Sequence, residues 1–475
     1  MNHSSVERSH AAFFLEFVYA GLCLALTAGF GYAAVLAVFL SFGLPLGDWW
    51  IPMIQAHGHA QLWGWTGLFI IGVSLHFVPR LTGTPLRFPS LARWVCGLLF
   101  TAVLVRSITQ PILAALTEGT FRCALRWGMG GAAVVEAAAV GLYLVLLGGA
   151  MRSARQEEES PLRSVRLYLT TALCGWSVST LLMNGLAVRS AVADDPLLSP
   201  TWTPVAENLY TGLVVLPVAM AFSIRTFPLY LRLPAPRWPV RWLGLLYLCG
   251  FGLETIPDAL NLLGAFPGDV RLGIALTSAG QVLKGIVLLW FIWELDILVR
   301  RKPPWTVDRR EPIREPRRPT RPGLPDYGEF GRFERLLYGA YVWLAVGAGF
   351  DIVAGAAVLG GWDPPVNQDA IRHAYVVGFI SFLILGMAPR MIPGFVHQRR
   401  LAFPRLVNGT FWLAVSAAVC RVIPLLIPVR VVERFPVMEP LSTAAFGLSG
   451  ALGWLAVLLL AWNLVATCGT GREEA

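Results

Sequence analysis

Charge is scarce in this chain. Of 475 residues, 14% are Asp, Glu, Lys or Arg, against roughly 25% in soluble domains. Lysine is nearly missing: only Lys284 and Lys302 occur, and every other basic residue is arginine. Cysteine is thin and unpaired. Cys23, Cys96, Cys123, Cys174, Cys249, Cys420 and Cys468 stand singly, with no CxxC, zinc spacing or CxxCH. These absences exclude a disulfide framework, a structural zinc site and a local haem-attachment motif. What the chain has instead is apolar sequence, 56% of residues, at a mean hydropathy of +0.61. That balance excludes a soluble enzyme and a disordered chain. The net charge of +9 does not indicate nucleic acid as a partner, because the arginines lie between long apolar stretches and not on one face.

A membrane helix needs about 20 mostly apolar residues to cross the hydrocarbon core. Twelve stretches qualify, at 12–40, 52–79, 91–111, 128–150, 166–188, 205–231, 239–257, 270–299, 334–360, 369–396, 403–427 and 440–466. The expected fold is therefore all-α, a polytopic membrane protein of twelve transmembrane helices. The seventh span is the weakest, since Glu254 and Asp258 crowd its end. Arg8 precedes an apolar run longer than a signal-peptide core, so the first span is expected to be retained.

Basic residues in short loops set orientation. With the N-terminus inside, 27 of them fall on the cytoplasmic side and eight outside (Arg122, Arg126, Arg189, Arg271, Arg372, Arg421, Arg430 and Arg434). Both termini are thus expected in the cytoplasm. Residues 300–333 carry Pro303, Pro304, Pro312, Pro316, Pro319, Pro322 and Pro325 among alternating charges. Such a segment buries too little surface to fold and is expected to run extended along the cytoplasmic face. It serves either as a tether or as a contact for anionic lipid headgroups. It divides the chain into 1–299, with eight spans, and 334–475, with four.

Three even-numbered spans share a pattern. The second reads HAQLWGWTGLFIIGVSLHFVP from His59, the sixth ENLYTGLVVLPVAMAFSIRTFP from Glu207, and the tenth HAYVVGFISFLILGMAPRMIP from His373. Each has a polar residue near its outer end, a glycine five positions later (Gly64, Gly212, Gly378) and a proline near its inner end (Pro79, Pro228, Pro393). Anchors four spans apart predict three pseudo-repeated four-helix arcs, and repeats of this kind place sites where the units meet.

Seven histidines sort by depth. His3 and His10 lie in the N-terminal tail, and His76 and His397 near cytoplasmic span ends, where structural roles suffice. His57, His59 and His373 lie inside the outer boundary, where ionisable side chains are costly and usually face the protein interior. On a helix His57 and His59 are about 200° apart. His59 shares its face with Trp63, Thr66 and Ile70; His57 shares its face with Gln61 and Gly64. Neutral imidazole ligates haem iron, copper or zinc. A haem between His373 and one of His57 or His59 suits the pattern, with His59 favoured because it aligns with His373 across the repeat; a mononuclear copper site on His57, His59 and His373 is the competing use, and a histidine bonded to a neighbouring helix is the structural alternative. Lys284, near mid-depth of the eighth span, and Asp351, Glu136, Asn184 and Arg106 are further polar groups within apolar stretches. Residues of this kind form proton relays or structural ion pairs. Tyr210 and Tyr375 lie near the proposed site and could hydrogen-bond a ligand there, or serve as interfacial aromatics.

The stretch AHGHAQLWGWTGLFIIGVSLHFVPRLTG (56–83) resembles the NnrS family, twelve-span bacterial membrane proteins associated with haem and copper, and RHAYVVGFISFLILGMAPRMIPG (372–394) is similar to that family's second histidine-bearing segment. The resemblance implies a haem-binding protein of the bacterial inner membrane, acting in nitric-oxide metabolism or nitrosative-stress defence, with nitric oxide as a candidate ligand and copper as a second cofactor. The layout is also similar to the catalytic subunit of haem–copper oxidases. There, histidines of the second and tenth spans hold a low-spin haem, which maps onto His57 or His59 and His373. The oxidase pattern also needs histidines in the sixth and seventh spans and a second one in the tenth. Here the sixth begins Glu207-Asn208-Leu209-Tyr210, the seventh has none, and Ile371 precedes His373 by two, so the oxygen-reducing centre lacks its ligands. Two other readings remain: an ion-coupled transporter using Glu207, Tyr210, Lys284 and Asp351 as a proton or ligand pathway, and a quinone-linked redox subunit.

Overall fold

The computed structural model describes residues 15–152, 162–234, 236–267, 269–301 and 328–470. His3, His10, Arg8, the C-terminal Arg472 and residues 302–327 of the proline-rich segment lie outside them. Twelve helices among the described residues are long and apolar enough to cross a membrane. They are α1 (Leu15–Ser41), α2 (Trp50–Thr82), α3 (Leu91–Ala115), α4 (Thr120–Arg152), α5 (Arg166–Ala193), α6 (Trp202–Tyr230), α7 (Val240–Leu262), α8 (Val270–Leu295), α9 (Phe333–Leu359), α10 (Gln368–Phe395), α11 (Leu406–Leu426) and α12 (Met438–Gly469). Each expected span has its helix, and the described residues contain no strand.

The ends differ in ways the side chains explain. The helix α4 begins at Thr120, well before the apolar run at 128, because helical hydrogen bonding continues past the hydrocarbon boundary where polar side chains are solvated. The helix α8 stops at Leu295, short of the expected 299. Asp296 takes a left-handed conformation (φ 60°) there, and its Oδ1 accepts from the backbone N–H of Arg301 at 2.8 Å and from Arg301 Nε at 3.1 Å. The segment 300–333 is not extended throughout. Residues 328–332 form a packed loop, with the Leu401 N–H donating to the Glu329 carbonyl at 2.9 Å.

Burial singles out the three motif-bearing helices. In α2 and α10, 83% of the apolar window is buried, and in α6 67%; every other span has half or less. All three also depart from α-helical winding at the same point of the motif. A π segment covers Ala60–Thr66 in α2, Thr211–Val215 in α6 and Ala374–Ser381 in α10, and each contains the motif glycine, Gly64, Gly212 or Gly378. A fourth, Ala25–Gly29, interrupts α1. Widened turns of this kind detach carbonyls from the regular ladder and recur at functional sites.

The chain divides into two compact units, one of residues 1–218 and 443–454, the other of 219–442 and 455–475. This division runs through α6 and α12, whereas the grouping read from the sequence breaks at the proline-rich segment. In the first unit α3 packs along α4, and α4 along α5; in the second α7 packs along α8, and α8 along α9. Glycines permit the closest of these approaches. A Cβ on Gly250 would lie 2.8 Å from the Lys284 backbone nitrogen, and one on Gly285 would lie 2.6 Å from the Ala348 carbonyl. Lipid gives no hydrophobic drive for helices to associate, so close backbone packing at small residues has to supply it.

Candidate functional site

In the first unit the two faces of α2 meet different neighbours. The His57 face lies on α1. A Cβ on Gly64 would be 3.0 Å from Leu24 Cδ1, and His57 Nδ1 is 2.9 Å from the Gly29 carbonyl. Gly29 ends the π segment of α1 with ψ −105°, outside helical geometry, which turns its carbonyl out of the ladder toward His57. A metal-ligating histidine commonly donates its other ring N–H to a carboxylate or a backbone carbonyl. With Nδ1 donating to Gly29, the neutral His57 ring carries its lone pair on Nε2.

The His59 face meets α4 and α5. His59 Nε2 is 3.1 Å from Glu136 Oε1 and 3.0 Å from Oε2, and both side chains are fully buried. Glu136 also accepts from Asn184 Nδ2 at 3.3 Å. The His59 ring stacks on Trp63 at 5.1 Å, and Trp63 Nε1 donates to Thr180 Oγ1 at 3.1 Å. Tyr210 of α6 packs its ring on Trp63 at 4.4 Å and against Trp176 at 5.0 Å. Its hydroxyl, His59 Nδ1, Asn184 Oδ1 and Arg106 Nη1 are buried without a hydrogen-bond partner. Arg106, 1% exposed, reaches Met183 Sδ at 3.4 Å and Gln110 Oε1 at 3.5 Å. Glu207 of α6 sets its carboxylate against the backbone between the two histidines: a Cβ on Gly58 would lie 3.1 Å from Glu207 Oε1.

The second unit holds His373 and an ion cluster. His373 is half-buried, and its Nδ1 is 2.6 Å from the Asp369 carbonyl one turn earlier. As at His57 the partner is a backbone carbonyl, here one of the same helix. It again leaves the lone pair of a neutral ring on Nε2. Lys284 Nζ, on α8, lies 2.7 Å from Glu254 Oε1 on α7 and 3.1 Å from Asp351 Oδ2 on α9. Tyr375 OH donates to Asp351 Oδ2 at 2.5 Å and Gln281 Nε2 to Asp351 Oδ1 at 3.2 Å. Lys284 is 9% exposed and Asp351 1%. Two carboxylates thus face one ammonium in an apolar stretch.

The candidate pathway residues therefore fall into two clusters, Glu207 and Tyr210 in the first unit and Lys284 and Asp351 in the second. Among the described residues no three His, Cys, Asp or Glu side chains gather as a metal-ligand group. His76 is buried near the end of α2, and His397 is exposed after α10 with φ 59°. Sequence reasoning missed Gly29 and the pairing of Glu254 with Lys284. Glu254 was visible as a carboxylate inside an apolar run; nothing local marked the Gly29 carbonyl.

No family model matches the chain, and no curated protein matches it. A solved structure does: the cryo-EM structure of a haem–copper terminal oxidase dimer, with a TM-score of 0.67 and 13% identity over 97% of this chain and 84% of that one. At this identity the likeness shows the fold. The chain is a multi-pass membrane protein with a haem–copper-oxidase-like fold.

Proposed function

We propose that the protein binds haem in the bacterial inner membrane and acts in nitric-oxide metabolism or nitrosative-stress defence, as an NnrS-like protein. The observation that carries the haem reading is the shared setting of His57 and His373. Each hands its Nδ1 proton to a backbone carbonyl, which orients the ring and fixes the tautomer with its lone pair on Nε2. The donor chemistry fits haem iron: two imidazoles supply strong-field nitrogens and low-spin iron. His57 is chosen over His59 as the partner of His373 because it shares the carbonyl-bonded setting of His373, whereas the His59 ring is fully buried and stacked on Trp63. The nitric-oxide assignment rests on the resemblance of residues 56–83 and 372–394. With bound haem the protein would have an iron centre for electron transfer or ligand exchange. His57 and His373 would hold the haem, and Glu207 and Tyr210 would supply polar groups near it.

The visible spectrum of the purified protein tests this. A low-spin haem spectrum is expected, lost or converted to high spin in His373→Ala and His57→Ala and retained in His59→Ala, His76→Ala and His397→Ala. Loss in His59→Ala with retention in His57→Ala would reverse the choice on α2. If copper content alone fell in these variants, the histidines would be a copper site. A colourless, metal-free preparation would instead favour ion-coupled transport, for which the buried Lys284–Glu254–Asp351 cluster is the supporting observation.

A further inference from the structure

Where the second unit's helices α9 and α11 begin, the chain forms an open cavity of about 760 Å³ lined by Gly328, Gly331, Arg332, Glu334, Arg335, Pro404, Arg405 and Asn408. Its walls are pinned. Besides the Leu401–Glu329 hydrogen bond, Gly331 takes φ 65° and packs its backbone onto the Pro404 carbonyl and Val407, where no side chain would fit. The ring of the adjacent Phe330 lies 4.4 Å from the Arg390 guanidinium, which also lies over Tyr230 at 4.8 Å. Arg335 Nη1 donates to Asn408 Oδ1 at 2.8 Å, tying the first turn of α9 to that of α11.

The lining is rich in donors and short of acceptors. Three guanidinium groups face one carboxylate, that of Glu334, which is 4% exposed. Arg332 and Arg405 are exposed, form no ion pair among the described residues, and occupy the positions just before α9 and α11, where no side chain caps the helix. Two helix N-termini and planar arginine forks together favour an anion with several oxygens in a tetrahedral array. Ligand pockets run from roughly 300 to 1,000 Å³, so this one admits an esterified phosphate. Basic pockets between helix ends on the cytoplasmic side are also where anionic lipid headgroups sit, and the distribution of basic residues assigns this end to that side.

We propose that this cavity is a phosphate-binding site, with Arg332, Arg335 and Arg405 as the recognising residues. The ligand is a phosphate-bearing anion, supplied by a lipid headgroup or by solution. The proposal is independent of the haem reading, since no histidine takes part.

The test uses the full chain in detergent with two probes. Phosphatidylglycerol binding is measured by native mass spectrometry against phosphatidylcholine, and inorganic phosphate and glycerol 3-phosphate binding by calorimetry. Two charge-assisted contacts are removed in R332Q/R405Q, so affinity is expected to fall at least about tenfold. The variant R430Q/R434Q, which removes the same charge from the opposite end of the helices, should bind as the parent does, and R332K/R405K should fall between the two. Phosphatidylglycerol binding with this pattern identifies a lipid headgroup; binding of the soluble phosphates alone with this pattern identifies a solution ligand. Undiminished binding in R332Q/R405Q, equal loss in R430Q/R434Q, or no binding of either probe by the parent would overturn the proposal.

Discussion

Single residues decide which chemistry each face of α2 can perform. His57 and His59 are two positions apart, yet one bonds a displaced backbone carbonyl and the other a fully buried carboxylate. A buried charge is tolerated only with partners that satisfy it, and Glu136 has His59 and Asn184. The same rule governs Lys284. Replacing it with methionine would leave Glu254 and Asp351 without their shared cation, and breaking such a buried pair typically costs about 3–5 kcal/mol. Lys284→Met is therefore expected to lower the thermal midpoint of the detergent-solubilised protein sharply. Adding Glu254→Gln and Asp351→Asn should restore most of the loss, because the uncompensated charges are then gone. A single Lys284→Met variant as stable as the parent would show that the cluster is not an ion pair in solution.

At the scale of the element, the three motif-bearing spans share more than a spacing. Each winds as a π segment through its motif glycine and each is among the most buried helices. Of Gly64 and Gly378, the glycine of α10 has the tighter surroundings. A Cβ on Gly378 would overlap the Trp343 indole of α9, whereas one on Gly64 would meet Leu24 Cδ1 at 3.0 Å. Overpacking typically costs about 1–3 kcal/mol, so Gly378→Val should be destabilised by at least that much. Gly64→Ala should lose less, since a leucine tip can shift where an indole cannot. Equal melting temperatures for the two variants would contradict this ranking. The glycine pattern was legible in the sequence; the π winding was not, because it depends on how each turn is held by neighbouring helices.

For the whole molecule, orientation and fold stand on different grounds. The twelve helices and the likeness to a terminal oxidase structure establish the architecture. The side on which each loop lies is an expectation from the 27-to-8 distribution of basic residues. A reporter fused after Arg318 should accordingly behave as cytoplasmic, and one fused at Asp363 as periplasmic. The reverse pair of results would place His57, His59 and His373 at the inner face and move the arginine-lined cavity to the outer one.

The sequence by itself determined the class, the number of spans and the short list of histidines, because hydrocarbon imposes a length and a polarity on every crossing segment and makes each exception conspicuous. It also set out the repeated polar–glycine–proline pattern. Only the tertiary structure decided which partner each exception meets. Gly29 reaches His57 because α1 loses its regular winding there, and Glu254 reaches Lys284 because Gly250 and Gly280 let α7 and α8 touch backbone to backbone. Partners brought from separate helices have no fixed spacing along the chain, so no local pattern could announce them.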